Sequence, residues 1–284
     1  MRSTPLPHSP AVGLPEPTLD VSIVVPYHNP GPRLGLTVRR MVEVLAEAGV
    51  SFEVIAVSDG STDGSEASLG ANDLVRQVVL ARQAGKGQAL RVGLAMGHGR
   101  YLGFLDADGD LSPELLAPFV QLMRESSPDI ILGSKRHPQS VVRYPPLRRM
   151  WSWGYQQLIR VLFHLSVQDT QVGIKLVRRE VVAAVLPRMV ERRFAFDLEL
   201  FVVARDLGYQ RLVEVPVRIE ERFGSTISMR TVAEILKDTL AVFYRLRLRH
   251  FYDEPLPSGN SPSGDRPEAG GAHHGPRSHE GPAG

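Results

Sequence analysis

Three aspartates follow an apolar run of the chain at a spacing that suits a metal ion. Asp106, Asp108 and Asp110 come directly after the apolar residues 101–105. Where a strand ends and the chain turns, side chains at i and i+2 can converge, and converging carboxylates repel unless a cation lies between them. Mg²⁺ or Mn²⁺ carried on a diphosphate is the usual cation for so few oxygen ligands. A polar loop after a buried strand is the alternative for an isolated Asp-x-Asp.

The elements that position these carboxylates are strands that alternate with helices. Apolar β-branched runs predict strands, and apolar residues at helical spacing predict helices. We expect strands over residues 21–25, 52–57, 101–105 and 129–132, and helices over residues 33–48, 84–97, 112–125 and 194–204. The alternation predicts an α/β fold whose mostly parallel central sheet is covered by helices on both faces. Ligands bind beyond the carboxyl ends of such strands, which is where the aspartates lie.

Composition excludes several classes of protein. The chain has 284 residues, 43% of them apolar, a formal net charge of +2 and no cysteine. It therefore has no disulfide or thiolate metal site, and its total charge does not indicate a polyanion partner. There is no run of 18 apolar residues to span a bilayer, and we expect no secretory leader, because no basic stretch followed by an apolar one opens the sequence. We expect an intracellular protein that does not bind nucleic acid, since it lacks a helix-turn-helix pattern and a basic groove with stacking aromatics.

The chain divides into one domain, a C-terminal helix and two tails. The tails, residues 1–18 and 255–284, are rich in Pro, Gly and Ser. Such composition offers too little apolar surface to offset the entropy of ordering, so we expect both tails to be disordered. The α/β domain is expected over residues 19–232 and an amphipathic helix over residues 233–254.

The stretch 145–167 combines aromatic side chains with a basic flank. It contains Trp151, Trp153 and Tyr155, and arginines precede them. Two interpretations are open: a helix at a membrane interface, with its rings at headgroup depth and its arginines on lipid phosphates, or an amphipathic helix packed on the sheet. The C-terminal helix has a similar composition and the same two interpretations.

Four short motifs follow the predicted strands or begin a helix. They are Pro26-Tyr27-His28-Asn29, Ser58-Asp59-Gly60-Ser61-Thr62-Asp63, Gly85-Lys86-Gly87 and Asp106-Ala107-Asp108. Their order and spacing resemble the family 2 inverting glycosyltransferases of the GT-A fold, over roughly residues 20–230. Two residues depart from that family's pattern: Pro30 stands where an acidic residue is usual, and Ser58 replaces the first Asp of an Asp-Asp-Gly motif.

A second set of motifs narrows the resemblance. Residues 169–175 read Asp-Thr-Gln-Val-Gly-Ile-Lys, residues 196–200 read Phe-Asp-Leu-Glu-Leu, and residues 222–225 read Arg-Phe-Gly-Ser. Together they resemble the polyprenyl-phosphate branch: the dolichyl-phosphate glucose and mannose synthases and their bacterial relatives. The first motif is closer to the glucose enzymes, although Ile174 replaces a usual Phe. The resemblance implies a UDP-glucose or GDP-mannose donor, a polyprenyl phosphate acceptor, and Mg²⁺ or Mn²⁺ as cofactor.

The resemblance also assigns candidate site residues. The nucleotide-sugar would contact Pro26, Tyr27, Asn29, Asp59, Lys86, Asp106 and Asp197. The metal would be held by Asp106, Asp108 and Asp110. The catalytic residues would be Asp108, Asp169 and Arg222, and the acceptor phosphate would contact Ser134, Arg136 and Arg143.

Particular roles are implied for some of these residues. Asp59 is expected to accept hydrogen bonds from the base, and Arg222 to contact the diphosphate, whose negative charge grows as the sugar leaves. Lys86 either neutralises phosphate or lets its glycine-flanked loop turn. Because an acceptor phosphate is already anionic, a general base is less necessary than for a sugar hydroxyl. Asp169 is therefore expected to orient the acceptor or the sugar, with a role as base left open.

Two acidic residues lie on the apolar helix predicted over residues 194–204. Carboxylates in such a setting are seldom buried without a partner, so Asp197 and Glu199 are expected to contact a sugar hydroxyl or an arginine. An exposed helix surface is the alternative for Glu199.

The sequence as a whole predicts an inverting hexosyltransferase, with glucose first and mannose second. It would act on polyprenyl phosphate at the cytoplasmic face of a membrane as a peripheral protein, with a membrane-protein partner or a second copy of the chain as possible associates. One alternative is a glycosyltransferase with a soluble saccharide or metabolite acceptor, which would give an interfacial helix no purpose. The other is a non-catalytic subunit that binds nucleotide-sugar, which only the departures at Ser58 and Pro30 favour.

Overall fold

The structure is a computed structural model, and it describes residues 13–142, 146–165, 167–193, 195–219 and 229–253. The strands are β1 (Leu19–Tyr27), β2 (Phe52–Ser58), β3 (Val75–Val79), β4 (Gly99–Leu105), β5 (Ile130–Ser134), β6 (Val141–Val142), β7 (Ile174–Arg178), β8 (Leu212–Pro216) and β9 (Arg218–Ile219). The helices are α1 (Arg33–Glu47), α2 (Lys86–Met96), α3 (Leu116–Ser126), α4 (Pro146–Phe163), α5 (Arg179–Val185), α6 (Phe196–Asp206) and α7 (Met229–Arg247). Short 3₁₀ turns lie at Ser65–Leu69, Pro113–Leu115, Leu186–Arg188 and Phe251–Asp253.

Seven of these strands form one sheet, in the order β3-β2-β1-β4-β7-β5-β8. The pairs of β1 with β2, β1 with β4, β2 with β3 and β5 with β8 are parallel. β7 is antiparallel to both of its neighbours, β4 and β5. The prediction of an α/β fold with a mostly parallel sheet is confirmed. Because β1, β2 and β4 run in the same direction, their carboxyl ends meet at one edge of the sheet, where ligands bind in such folds.

Apolar side chains cover both faces of the sheet. In β1, Val24 belongs to one buried cluster, whereas Ile23 and Val25 belong to another. α2, α5 and α6 contribute to the first cluster, and α1 and α3 contribute to the second. Successive strand residues point to opposite faces, so a strand that is apolar throughout is buried on both sides. Each such buried Val contributes roughly 1.5–3 kcal/mol relative to exposure, which holds the three layers together.

α4 and α7 pack against each other on the first of these faces. The rings of Phe163 and Phe243 meet edge to face with their centroids 6.0 Å apart. The hydroxyls of Tyr155 and Thr239 are 2.9 Å apart. α4 also exposes Trp153, at 58% of its surface, and Val161, at 70%. The interpretation of an amphipathic helix packed on the fold is therefore correct for one face of α4, while another face presents apolar side chains outward.

The sequence pattern does not predict three strands of the sheet: β3, β7 and β8. β3 is an edge strand whose Arg76 and Gln77 are exposed, so it lacks a continuous apolar run. β7 is buried, but Lys175 interrupts its apolar sequence. The loop motif that ends in Lys175 therefore runs into the centre of the sheet.

The predicted limits of the domain need one correction. Disorder was expected over residues 1–18, yet Leu14 packs against the core and the Thr18 N–H donates to the His98 carbonyl at 2.9 Å. The helix expected over residues 145–167 corresponds to α4, which is shorter at both ends. The helix expected over residues 233–254 corresponds to α7, which begins and ends earlier in the chain. The other tail, residues 255–284, lies outside the described residues.

Candidate active site

A cleft of about 930 Å³ lies at the edge of the sheet where β1, β2 and β4 end. Its walls come from the loops that follow these strands and from the start of α2. Eight of the residues predicted from the sequence line it: Pro26, Tyr27, Asn29, Asp59, Lys86, Asp106, Asp108 and Asp197. Clefts that hold small molecules have volumes of roughly 300–1,000 Å³, so this cleft can accept a ligand of nucleotide size.

Asp59 joins two walls of the cleft. Its buried carboxylate accepts the Ala84 N–H at 2.7 Å and the Gly85 N–H at 3.0 Å. Its own N–H donates to the Tyr27 carbonyl at 2.8 Å. Both of its oxygens therefore already accept backbone N–H groups before α2, and its expected hydrogen bond to a nucleotide base stays a prediction.

The two departures from the family pattern have local explanations. The Ser58 hydroxyl donates to Glu66 at 2.8 Å and accepts the Ser61 N–H at 3.1 Å, so it closes the turn after β2. Asn29, which has a φ of 52°, accepts the Thr62 N–H on its side-chain oxygen at 2.8 Å. These bonds fasten the loop after β1 to the loop after β2, and Pro30 lies in the wall that results.

Two lysines and two aspartates form a charged network at the base of the cleft. The Lys86 Nζ lies 2.6 Å from one oxygen of Asp106 and 2.7 Å from the other. The Lys175 Nζ lies 2.7 Å from Asp197 Oδ1, and the Lys175 side chain is fully buried. The Phe104 ring is shared, with its centroid 5.7 Å from the Lys86 Nζ and 5.0 Å from the Lys175 Nζ. Each ammonium therefore has a carboxylate and an aromatic face as neighbours.

Burial and charge act on the pKa values of this network in opposite directions. Burial lowers the pKa of Lys86, but the negative charges of Asp106, Asp197 and Asp108 outweigh that effect and raise the pKa overall. Burial also raises the pKa of Asp106, against the opposing charge of Lys86. For Lys175 burial prevails and lowers the pKa, although Asp197 opposes it. The pKa values of the two lysines are therefore shifted in opposite directions.

The three aspartates do not form the metal site that the sequence suggests. Asp106 and Asp108 line the cleft, whereas Asp110 is not among the lining residues and its N–H donates to Asp108 Oδ1 at 3.0 Å. Among the described residues there is no group of three or more His, Asp or Glu side chains arranged to hold a metal. Asp106 Oδ1 is buried and has no hydrogen bond of good geometry within the described part of the chain. Two carboxylates fit a hard divalent cation that takes its other ligands from a diphosphate.

Two of the predicted acceptor residues, Ser134 and Arg136, are not among the residues that line this cleft. Ser134 is buried at the end of β5. The Asp169 carboxylate accepts the Lys135 N–H at 3.3 Å and the Gln171 N–H at 3.2 Å, so it connects the loop after β5 to the loop before β7. Arg136 follows on the same loop. Arg143 and Arg222 lie outside the described residues, and their expected roles stay predictions.

The two acidic residues of α6 differ in their partners. Asp197 lines the cleft and pairs with Lys175 rather than with an arginine. Glu199 is fully buried and accepts hydrogen bonds from the Tyr252 hydroxyl and from two backbone N–H groups. The alternative of an exposed helix surface for Glu199 is wrong. Of the two expected contacts, the one with an arginine is present, since the Arg245 guanidinium lies 3.5 Å from Glu199 Oε1.

The structure adds residues that the motifs did not identify as part of the site. Arg33, Gln83, Gln171 and Arg193 line the cleft, and Lys175 neutralises Asp197 beneath it. Arg33 and Arg193 belong to no motif that marks them. Lys175 did carry a signal, since a lysine between apolar residues of a strand requires a buried partner.

Comparison with known proteins agrees with this fold and with the family that the motifs resemble. Residues 22–186 match glycosyl transferase family 2. A dolichyl-phosphate beta-glucosyltransferase of Drosophila melanogaster is 32% identical over 230 residues, which cover 75% of this chain and 70% of that protein. The enzyme of the same name from Mus musculus is 31% identical over 254 residues, covering 81% and 76%.

Solved structures show the same fold. Glucosyl-3-phosphoglycerate synthase from Mycobacterium tuberculosis, crystallised with Mn²⁺, uridine diphosphate and phosphoglyceric acid, has a TM-score of 0.61 at 17% identity. The match covers 84% of this chain and 80% of that one. The α/β fold and its cleft are thus those of a glycosyltransferase, and the chain belongs to glycosyl transferase family 2. The resemblance inferred from the motifs is confirmed, and both curated relatives carry names from the polyprenyl-phosphate branch.

Proposed function

We propose that the protein transfers glucose from UDP-glucose to a polyprenyl phosphate. The observation that carries the proposal is that the predicted donor-binding residues share one cleft in a chain whose relatives are named as glucosyltransferases. Asp59, Lys86, Asp106 and Asp108 surround one cleft, and relatives about a third identical along most of their length are named dolichyl-phosphate beta-glucosyltransferases. GDP-mannose is the second candidate donor, since the motifs also resemble those of the mannose enzymes.

The leaving group sets the main chemical demand on the cleft. Breaking the bond between sugar and diphosphate places new negative charge on the diphosphate, and preorganised positive groups lower that barrier most. Mg²⁺ or Mn²⁺ held by Asp106 and Asp108 would supply such charge. Arg33 and Arg193 also line the cleft and can approach phosphate oxygens from its walls. Lys86 is bound to Asp106, so its first effect is to fix the direction of that carboxylate.

The acceptor side follows from the position of Asp169. An ionised polyprenyl phosphate can attack the anomeric carbon without losing a proton first, so Asp169 acts mainly in orientation. Its carboxylate holds the loops that carry Ser134 and Arg136, the residues proposed to bind the acceptor phosphate. Attack on the face opposite the diphosphate would invert the anomeric centre.

Membrane attachment is proposed through α4. Trp153 and Val161 lie eight residues apart on this helix and are exposed, and an aromatic ring of this kind suits the headgroup region. In the part of the chain that the structure describes, no helix has the length and apolar character needed to cross a bilayer. We place the protein at the cytoplasmic face of the membrane, where nucleotide-sugars are supplied.

A donor and acceptor panel tests the proposal. The purified full-length chain is incubated with Mg²⁺ or Mn²⁺, polyprenyl phosphate in detergent, and radiolabelled UDP-glucose or GDP-mannose, and label in the organic phase is counted. We expect UDP-glucose to give a lipid product at least about tenfold faster than GDP-mannose, and chelation of the metal to abolish it. Parallel reactions replace the lipid with 3-phosphoglycerate or a saccharide, and label in their aqueous products, with none on lipid, would establish the soluble-acceptor alternative. Metal-dependent nucleotide binding without any transfer would establish a binding subunit.

Replacing Asp108 tests whether the carboxylates that follow β4 are needed for catalysis. Asp108→Asn keeps the size of the side chain but removes the charge proposed to hold the metal on the diphosphate. We expect turnover to fall by on the order of a thousandfold, with the unfolding midpoint nearly unchanged. The matched variant Asp110→Asn, outside the cleft, should lose less than about tenfold. Equal losses in the two variants would restore the three-carboxylate site, and normal turnover in Asp108→Asn would make the cluster structural.

Replacing the exposed apolar residues of α4 tests membrane attachment. Because apolar burial drives interfacial binding, we expect the double variant Trp153→Ser/Val161→Ser to bind anionic liposomes on the order of tenfold more weakly, or worse. Its KM for polyprenyl phosphate should rise by a similar factor. KM for UDP-glucose should not change. Leu36→Ser is the control, since Leu36 is 65% exposed on α1, which packs on the other face of the sheet. Equal liposome binding by all three proteins would exclude α4 as the attachment surface.

A further inference from the structure

Glu199 binds the backbone of the segment 189–193, a contact that the sequence pattern does not indicate. Its side chain is fully buried on α6. One carboxylate oxygen, Oε2, accepts the N–H groups of Val190 and Glu191 at 2.9 and 2.8 Å. The other oxygen, Oε1, accepts the hydroxyl of Tyr252 at 2.6 Å. A buried carboxylate with three donors is tightly fixed, so the segment 189–193 and Tyr252 are fixed to each other through it.

Tyr252 comes from the last described turn of the chain. It is 1% exposed, and its hydroxyl accepts a hydrogen bond from the Arg245 Nε at 3.1 Å. The Tyr252 carbonyl accepts from Arg188 at 3.3 Å. The Arg245 guanidinium also pairs with Glu191 and lies 3.5 Å from Glu199. The C-terminal turn is thus bound into the domain at the point where the segment 189–193 passes.

The segment 189–193 leads directly to the cleft. The Arg192 carbonyl accepts the Gln88 N–H at 3.0 Å, in the first turn of α2. The Met189 carbonyl accepts from the guanidinium of Arg91, one turn further on. Arg192 is so close to α2 that a Cβ at Gly87 would lie 2.7 Å from its carbonyl carbon. Lys86 directly precedes Gly87, Arg193 directly follows Arg192, and both side chains line the cleft.

We propose that Tyr252 and Glu199 are positioning residues for the nucleotide-sugar. Through Glu199, the C-terminal turn holds the segment 189–193 against the first turn of α2. The same contact fixes the position of Lys86, which holds Asp106, and of Arg193, which lines the cleft. The inference rests on the proposed function for the identity of the donor, but the contact itself is a property of the fold.

Two conservative variants separate this role from simple packing. Tyr252→Phe removes one hydroxyl and leaves the ring in place. Glu199→Gln keeps the shape but removes the charge, and its NH2 group cannot accept the Tyr252 O–H while its oxygen accepts the N–H groups of Val190 and Glu191, so the charge-assisted hydrogen bonds are weakened. In each variant the segment 189–193 loses part of its restraint. Tyr244→Phe, on the half-exposed Tyr244 of α7, removes a hydroxyl away from Glu199.

The test combines steady-state kinetics with hydrogen exchange on the full-length protein. In Tyr252→Phe and Glu199→Gln we expect KM for UDP-glucose to rise about tenfold, with KM for polyprenyl phosphate within about twofold of the parent. Amide exchange should accelerate at Val190 and Glu191 and also at Gln88 on α2. Tyr244→Phe should leave all three quantities unchanged. A Val120→Ala variant, on the other face of the sheet, shows what general loss of stability does.

The outcomes decide the inference in either direction. A rise in KM for both substrates alike, or the same rise in Val120→Ala, would overturn a positioning role. Unchanged exchange at Gln88 in both variants would show that the contact does not reach α2, and would overturn it as well. If the parent protein does not use UDP-glucose, the proposed function fails, and the exchange at Gln88 still decides whether Tyr252 restrains the cleft.

Discussion

The structure depends on neutralising one lysine in the middle of its sheet. Lys175 lies in β7 opposite Phe104 of β4, and its ammonium is fully removed from water. A buried charge costs several kcal/mol unless a partner of good geometry compensates it. Asp197 supplies that partner at 2.7 Å, and the Val172 carbonyl accepts a second hydrogen bond. The start of α6 must therefore lie over the amino end of β7, which is also the carboxyl end of β4.

This placement explains how the cleft is closed at its base. Once α6 is fixed there, the loop before β7 passes directly beside Asp106, at the carboxyl end of β4. The Gly173 carbonyl accepts the Asp106 N–H at 2.9 Å, and a Cβ at Gly173 would collide with the Asp106 carboxylate. Lys86 holds that carboxylate from the other side. Lys86 and Asp197 are 111 positions apart in the sequence, yet with Asp106 and Lys175 they form one electrostatic unit.

The sequence predicted the strands and helices that have a clear hydrophobic pattern, and it identified eight of the residues that line the cleft. β1, β2 and β4 are continuous apolar runs, so the loops after them had to meet at one edge. β7 was missed because Lys175 breaks its pattern, and its partner lies 22 residues further along the chain. The sequence did not show the hydrogen-bond partners of Asp59 and Glu199 for the same reason, since the groups that bind them lie 25 and 53 residues away. Local patterns do not report such pairings, which only the folded chain brings together.

A double-mutant cycle on Lys175 and Asp197 tests the central claim most directly. The free energy of unfolding is measured in denaturant for Lys175→Met, Asp197→Asn and the double variant. Each single change leaves one buried charge unpaired, with an expected loss of about 3–5 kcal/mol, and the double variant should lose less than the sum by at least about 1–2 kcal/mol. The exposed pair Arg40 and Glu114, replaced by Met and Gln, should show no measurable coupling. Additive losses at Lys175 and Asp197 would contradict the claim that this pair organises the site.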